Sequence, residues 1–296
     1  SVASRVNSSG LVEMVGRTLG SNLVQNGDFS EIGPDLVQNG TFDLGSELVT
    51  NGDFSDGTND WINNASAILS IENDRLKVTV DGAGSGYGQQ DIIGLTVGKT
   101  YQVNAEGEIG TSTRLALYTP NAGFNNLYSD GTISTTFIAT STTENLRLYV
   151  YDDGAYGFWD NVSVKEVPDW TLGGAATIEN DALHLESATN EYSYARQDIS
   201  SLAAKTYKIQ LEIKNYVSGA CQVGFTGTSP NLQNLNVTSD GTYTAYVSPN
   251  ANGNDLEISR DFGGGNFNFN VDNLVVKELD PNDYWTLGAG WSIADG

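Results

Sequence analysis

Two stretches of this chain mix aromatic rings with amide and guanidinium edges. Tyr87, Gln89 and Gln90 form the first, and Tyr192, Tyr194, Arg196 and Gln197 the second. Ring faces stack on sugar C–H faces, while side chains with paired donors and acceptors satisfy hydroxyls, so this mixture suits a carbohydrate contact surface. The aromatic loops at 121–128 and 152–157 carry a similar mixture. The competing reading is that these are ordinary sheet-face or rim residues.

Catalysis is harder to assemble. His184 is the only histidine, in Ala182-Leu183-His184-Leu185-Glu186, an outward strand position whose counterpart upstream is Lys77. A catalytic base needs a nucleophile and an orienting partner, and the pattern supplies neither. No Gly-x-Ser-x-Gly elbow, phosphate-binding glycine loop or His-Glu-x-x-His helix occurs. The cluster Gly263-Gly264-Gly265 reads as a loop tip. Carboxylate pairs are plentiful enough for a glycosidase, but repetition favours weak binding that gains avidity from copies. The chain is expected to be non-enzymatic, with no catalytic residues.

The elements that would carry these side chains are strands. Arg75-Leu76-Lys77-Val78-Thr79-Val80, Tyr101-Gln102-Val103-Asn104-Ala105-Glu106, Asn145-Leu146-Arg147-Leu148-Tyr149-Val150 and Tyr207-Lys208-Ile209-Gln210-Leu211-Glu212-Ile213 all alternate polar and apolar. Period two places one face in a core and the other in water. Asn73-Asp74, Asp130-Gly131, Asp153-Gly154 and Asp240-Gly241 punctuate them as turns.

The strands repeat. Trp61 leads to Ile71-Glu72-Asn73-Asp74 as Trp170 leads to Ile178-Glu179-Asn180-Asp181, and Gln90-Asp91-Ile92 returns as Gln197-Asp198-Ile199. Trp159-Asp160-Asn161-Val162 matches Val271-Asp272-Asn273-Leu274. The expected units are 47–167 and 168–280, followed at 281–296 by the start of a third, since Trp285-Thr286-Leu287-Gly288 echoes Trp170-Thr171-Leu172-Gly173. Both chain ends are expected to be cuts within a longer protein. An all-β fold of tandem antiparallel sandwiches follows, jelly-roll and immunoglobulin-type topologies both fitting the periodicity.

Residues 1–46 read as an extended N-terminal attachment segment. They hold Leu23-Val24-Gln25-Asn26-Gly27-Asp28-Phe29 and Leu36-Val37-Gln38-Asn39-Gly40-Thr41-Phe42, two copies of the heptapeptide that opens the first unit at Leu48-Val49-Thr50-Asn51-Gly52-Asp53-Phe54. Read along the chain, the first two copies are orphans, openings with no domain behind them.

Composition limits the partners. With 14 Lys+Arg against 37 Asp+Glu the net charge is −23, which repels phosphate backbones and argues against nucleic acid. No apolar run is long enough for a membrane span. Cys221 is the only cysteine, so no intrachain disulfide forms.

The opening heptapeptide with Trp61 downstream, closed by Phe158-Trp159-Asp160-Asn161-Val162-Ser163-Val164, resembles jelly-roll carbohydrate-binding modules of the family 4, 9, 16 and 22 type and their galactose-binding-like relatives. The resemblance spans the first unit end to end and the second except its first strand. It selects the jelly roll and implies a structural Ca²⁺ between opening segment and last strand. Asp160 is the implied ligand, Asp272 its counterpart, and Asp53 a looser candidate. Separately, Ala3-Ser4-Arg5-Val6-Asn7-Ser8-Ser9-Gly10-Leu11-Val12-Glu13 is similar to a leader in tail-fibre and other virion proteins of aquatic bacteriophages. That likeness implies a homotrimeric virion appendage on the particle surface, meeting other virion proteins and a host-surface glycan. Two alternatives stand beside it: a secreted bacterial polysaccharide-binding array joined to an enzyme elsewhere, and a purely structural fibre or capsid decoration.

Overall fold

The computed structural model describes residues 3–6, 8–15, 24–25, 32–64, 66–82, 84–187, 192–203, 205–227, 232–260, 265–282 and 285. Among the described residues every regular element is a strand, and no helix is long and apolar enough to cross a membrane. The chain folds into antiparallel β-sandwiches of the jelly-roll type. The first heptapeptide lies mostly outside the described residues, as does nearly all of the third unit.

In module one, one sheet runs in the order Gly123–Leu127, Leu115–Thr119, Thr143–Tyr151, Ser85–Ile93, Ile62–Asn63. The other runs Gly131–Ile138, Thr100–Glu108, Tyr156–Val167, Arg75–Val80, Ala67–Glu72. Alternation does what period two requires: Leu76, Val78 and Val80 are buried, whereas Arg75, Lys77 and Thr79 are not. Their partners across the sandwich include Leu117, Leu146, Leu148 and the fully buried Trp159. Module two repeats the plan with Thr171–Gly173, Tyr194–Gln197, Leu256–Arg260, Cys221–Phe225 and Leu232–Asn234 in one sheet, and Ala176–Ile178, Leu183–Ser187, Phe267–Leu279, Tyr207–Ser218 and Gly241–Val247 in the other.

The second heptapeptide is no orphan, which corrects the reading of 1–46 as attachment segment alone. Val37 and Phe42 lie in the core of module two, with Phe42 fully buried and its ring 5.0 Å from that of Trp170. Trp170 Nε1 donates to Asn39 O at 2.9 Å, and Leu274 N donates to Gly40 O at 2.9 Å. The third copy makes the same lock in module one. Phe54 meets Trp61 at 5.4 Å, Trp61 Nε1 donates to Asn51 O at 3.0 Å, and Val162 N donates to Gly52 O at 2.9 Å. Both copies hold Asn and Phe at positive φ, 50° and 57° for Asn39 and Phe42, 53° and 55° for Asn51 and Phe54. Ile32–Asp35 extends the arrangement by pairing with Phe267–Leu279.

Module one is therefore inserted into module two. The chain places the opening segment of module two, leaves after Phe42 to build module one, and returns through Val167, already in the module-two core. Sequence order hides this because opening segment and sandwich are separated by a whole domain. The modules also touch directly. Buried Gln102 donates from Nε2 to Ile178 O at 2.7 Å and accepts from Ile178 N at 2.5 Å, completing the edge strand Ala176–Ile178. With two chain crossings and this amide clamp, module one is held against its host rather than strung beside it.

Candidate functional site

The clearest convergence of binding-type side chains lies on the outer face of the module-one sheet led by Gly123–Leu127. Register sets Phe124 opposite Tyr118, Tyr118 opposite Arg147, Arg147 opposite Gln89 and Gln89 opposite Ile62. One row thus crosses all five strands. At about 4.8 Å between strands it spans roughly 19 Å. Beside it Tyr149 pairs with Tyr87, their rings 4.6 Å apart, and Phe124 contacts Tyr118 at 4.5 Å and Tyr149 at 5.4 Å. Phe124 is 52% exposed, so the platform opens to solvent.

Arg147 lies among these rings. Its guanidinium carbon is 5.1 Å from the Tyr87 centroid and 5.5 Å from that of Tyr118. Nε donates to Asn145 Oδ1 at 2.5 Å and Nη1 to the Tyr149 hydroxyl at 3.4 Å. That hydroxyl bond first, against the opposing effect of burial, raises the Arg147 pKa above its ordinary value. Arg114 covers the neighbouring Tyr151 ring at 3.6 Å. Strand alternation placed Asn145, Arg147 and Tyr149 together on one face. Sequence reasoning passed over Tyr118, Arg147 and Tyr149 as binding residues because only cross-strand register brings them to Tyr87.

Of the expected contact residues, Tyr87 and Gln89 belong to this face. Gln90 does not. Adjacent strand residues point to opposite faces, and Gln90 is buried, accepting from Thr50 N at 2.9 Å and donating to Thr50 O at 2.8 Å and Asp60 O at 3.2 Å. Gln197 is its module-two equivalent, accepting from Gln38 N at 2.8 Å and donating to Gln38 O at 2.7 Å and Asp169 O at 3.2 Å. Both glutamines hold an opening heptapeptide in place.

Module two decorates the matching row differently: Leu232, Gly224, Glu257, Arg196, Thr171. Glu257 occupies the place of Arg147, and Ser259 that of Tyr149. Glu257 is only 2% exposed; it takes a hydrogen bond from the Tyr192 hydroxyl and one from Arg196 Nε at 2.6 Å. Burial first, then the bond to Glu257, pushes the Tyr192 phenol above its usual range. Arg196 also covers Tyr194 at 4.0 Å. The second set of candidates is thus gathered, but into a closed ion-paired cluster.

The acidic candidates have other work. Asp53 caps the following turn, accepting from Ser55 N at 3.2 Å and Ser55 Oγ at 2.9 Å, and the Ser55 backbone bond foremost holds its carboxyl below the ordinary range. Asp160 and Asn161 build a β-bulge. Pairing slips between Asp160 and Ser163, Asn161 takes φ 50°, and its N–H donates to Asp160 Oδ1 at 2.8 Å. Burial is the main cause of a raised Asp160 pKa. Asp272 and Asn273 repeat the bulge with φ 50° at Asn273 and a 2.6 Å bond, while Lys214 Nζ meets Asp272 Oδ2 at 2.6 Å. A calcium ion gathers six or more oxygens. Among the described residues no group of three or more acidic, histidine or cysteine side chains is placed to hold a metal ion by itself, and Lys214 pairs with Asp272. His184 is held between Asn270 Oδ1 at 2.6 Å and Glu186 Oε2 at 3.2 Å.

No protein-family model matches the sequence, and no curated protein is similar to it. Solved structures are similar in fold. The tandem CBM22-1–CBM22-2 domain from Paenibacillus barcinonensis Xyn10C matches at 12% identity and TM-score 0.37, over 79% of this chain and 98% of that one. TmCBM61 in complex with beta-1,4-galactotriose matches at 15% and 0.32, over 40% and 97%. The bacteriophage CBA120 tailspike protein 4 enzymatically active domain matches at 14% and 0.34, over 41% and 21%. Likeness this distant fixes neither ligand nor activity.

Proposed function

We propose that this chain is a non-enzymatic surface-display protein whose module one binds a glycan along the row Phe124, Tyr118, Arg147, Gln89 and Ile62. The observation that carries the reading is the row itself, an open line of rings and polar edges across a whole sheet. Sugar rings stack on Phe124 and Tyr118, and hydroxyls meet Gln89 and Arg147. Module two, its equivalent row closed by Glu257, serves as the mount.

Replacing Phe124 by Ala tests it. The ring is half in solvent, so thermal stability should hold, while affinity for glycans retained on an array should fall about tenfold, the worth of one stacking contact. Unchanged array binding by the variant, or silence of the parent chain on all glycans, defeats the proposal.

The leader residues and the firm mounting of module one on module two support a virion appendage as the setting, self-associated as a homotrimer. Light scattering should then give three times the mass of one chain; a monomer weighs against the appendage and leaves glycan binding untouched. A secreted array would bind through the same face.

A further inference from the structure

Among the described residues, the guanidinium groups of the module-one face have no carboxylate at salt-bridge distance. Among the described residues neither Arg147 nor Arg114 forms an ion pair, although acids outnumber bases by 37 to 14 in the chain. Elsewhere Arg75 meets Glu108, Lys205 meets Glu278 and Lys214 meets Asp272, while Lys165 and Lys277 on the other sheets meet no carboxylate at salt-bridge distance among the described residues. The acids near the face are diverted. Asp91 accepts from Asn145 Nδ2 at 2.7 Å, and Asn145 stands between it and Arg147. Asp152, beside Arg114, is taken by Thr113 N and Thr113 Oγ1, both at 2.6 Å.

A guanidinium packed between rings has lost part of its hydration and gains most from a charged acceptor. Module two shows the alternative on the same scaffold: where Arg147 stands in module one, Glu257 stands in module two, and it closes on Arg196. Module one keeps its positive charge at the centre of the row and leaves the counter-charge to come from outside. The net charge of −23 repels polyanions at long range, but at physiological salt that repulsion is damped beyond about 8 Å. A direct contact decides the outcome there.

We propose that the ligand of this face is an anionic glycan, its carboxylate or sulfate group on the Nη edge of Arg147 and its sugar rings on Tyr118 and Phe124. This rests on the glycan-binding reading above and narrows its substrate class.

The experiment is calorimetric titration of the whole chain at physiological salt with three sets of oligosaccharides. These are uronate oligomers such as oligogalacturonate, the same oligomers with the carboxylates methyl-esterified, and sulfated galactan fragments beside their unsulfated parents. The charged form of at least one pair should bind about tenfold or more tightly than its neutral form, the worth of a charge-assisted hydrogen bond. Which pair shows the preference separates carboxylate from sulfate. Arg147→Gln, which keeps a polar side chain, should bring the charged and neutral forms of that pair to equal affinity, and Lys165→Gln on the opposite sheet should leave the preference intact. Equal affinities within each pair, or binding of neutral glycans alone, overturn the anionic class and spare the glycan reading. Silence across these sets and a neutral glycan array overturns both.

Discussion

A chain beginning at Glu47 should keep module one folded and lose module two. Residues 1–46 look dispensable in sequence order, yet their removal takes Val37 and Phe42 out of the module-two core and strips Ile32–Asp35 from its sheet. Trp170 Nε1 loses Asn39 O, the Gln197 amide loses Gln38, Leu274 N loses Gly40 O and Val276 N loses Asp35 Oδ1, which accepted at 3.0 Å. Loss of one buried phenylalanine alone costs about 3–5 kcal/mol, against a total of about 5–15 kcal/mol for a domain. Unsatisfied buried groups add to that loss.

Cys221 gives the readout. It is the sole cysteine, fully buried in the module-two core, and burial pushes its thiol up to about 12. In the whole chain it should resist a thiol reagent at neutral pH, because neither access nor thiolate is available. In the shortened chain it should be modified promptly, and a synthetic peptide covering residues 32–46 should restore protection. The aromatic signature of Trp61 packed in module one should be the same in both chains. A protected Cys221 in the shortened chain shows that the heptapeptide is dispensable to module two.

Strand content and the tandem plan were legible because both rest on local pattern. Alternation in Arg75–Val80 or Thr143–Tyr151 states which side chains enter a core whatever the partner strand is. Insertion of one module in another was not legible, because it concerns which distant segment fills a gap, and Leu36 to Phe42 has the same local pattern whether it is an orphan or the first segment of a sandwich entered at Trp170. The site was half legible. Residues that repeat in both modules drew functional readings: Gln90 and Gln197 clamp the opening heptapeptides, and Asp160 and Asp272 stand at matching bulges. Repetition marks what the shared fold requires. Function is better sought where matching positions disagree, as Arg147 and Glu257 do, and finding those needs register that period two alone does not supply.

Gly40→Ala and Gly52→Ala should each destabilise a different module. The Asn-Gly step of the heptapeptide looks like turn chemistry, but the need for glycine here is contact: a Cβ on Gly40 would stand 2.1 Å from Leu274 O, and one on Gly52 2.0 Å from Val162 O. Those are backbone carbonyls in the bulged stretches of the closing strands, so they cannot swing away as a side-chain tip would. The added methyl must push the heptapeptide off the strand, breaking the bond from Leu274 N to Gly40 O or from Val162 N to Gly52 O. Overpacking together with an unmade buried hydrogen bond amounts to about 2–4 kcal/mol. Chemical denaturation followed by Cys221 labelling should therefore shift to lower denaturant for Gly40→Ala and stay in place for Gly52→Ala. Far-ultraviolet circular dichroism, which sees both modules, should register an earlier transition in each variant. The residue nearer the N-terminus governs the domain farther along the chain, which only insertion of module one within module two explains. If Gly52→Ala exposed Cys221 as readily as Gly40→Ala, the modules would unfold as one cooperative unit, and the Gln102 clamp on Ile178 would be the contact to sever next.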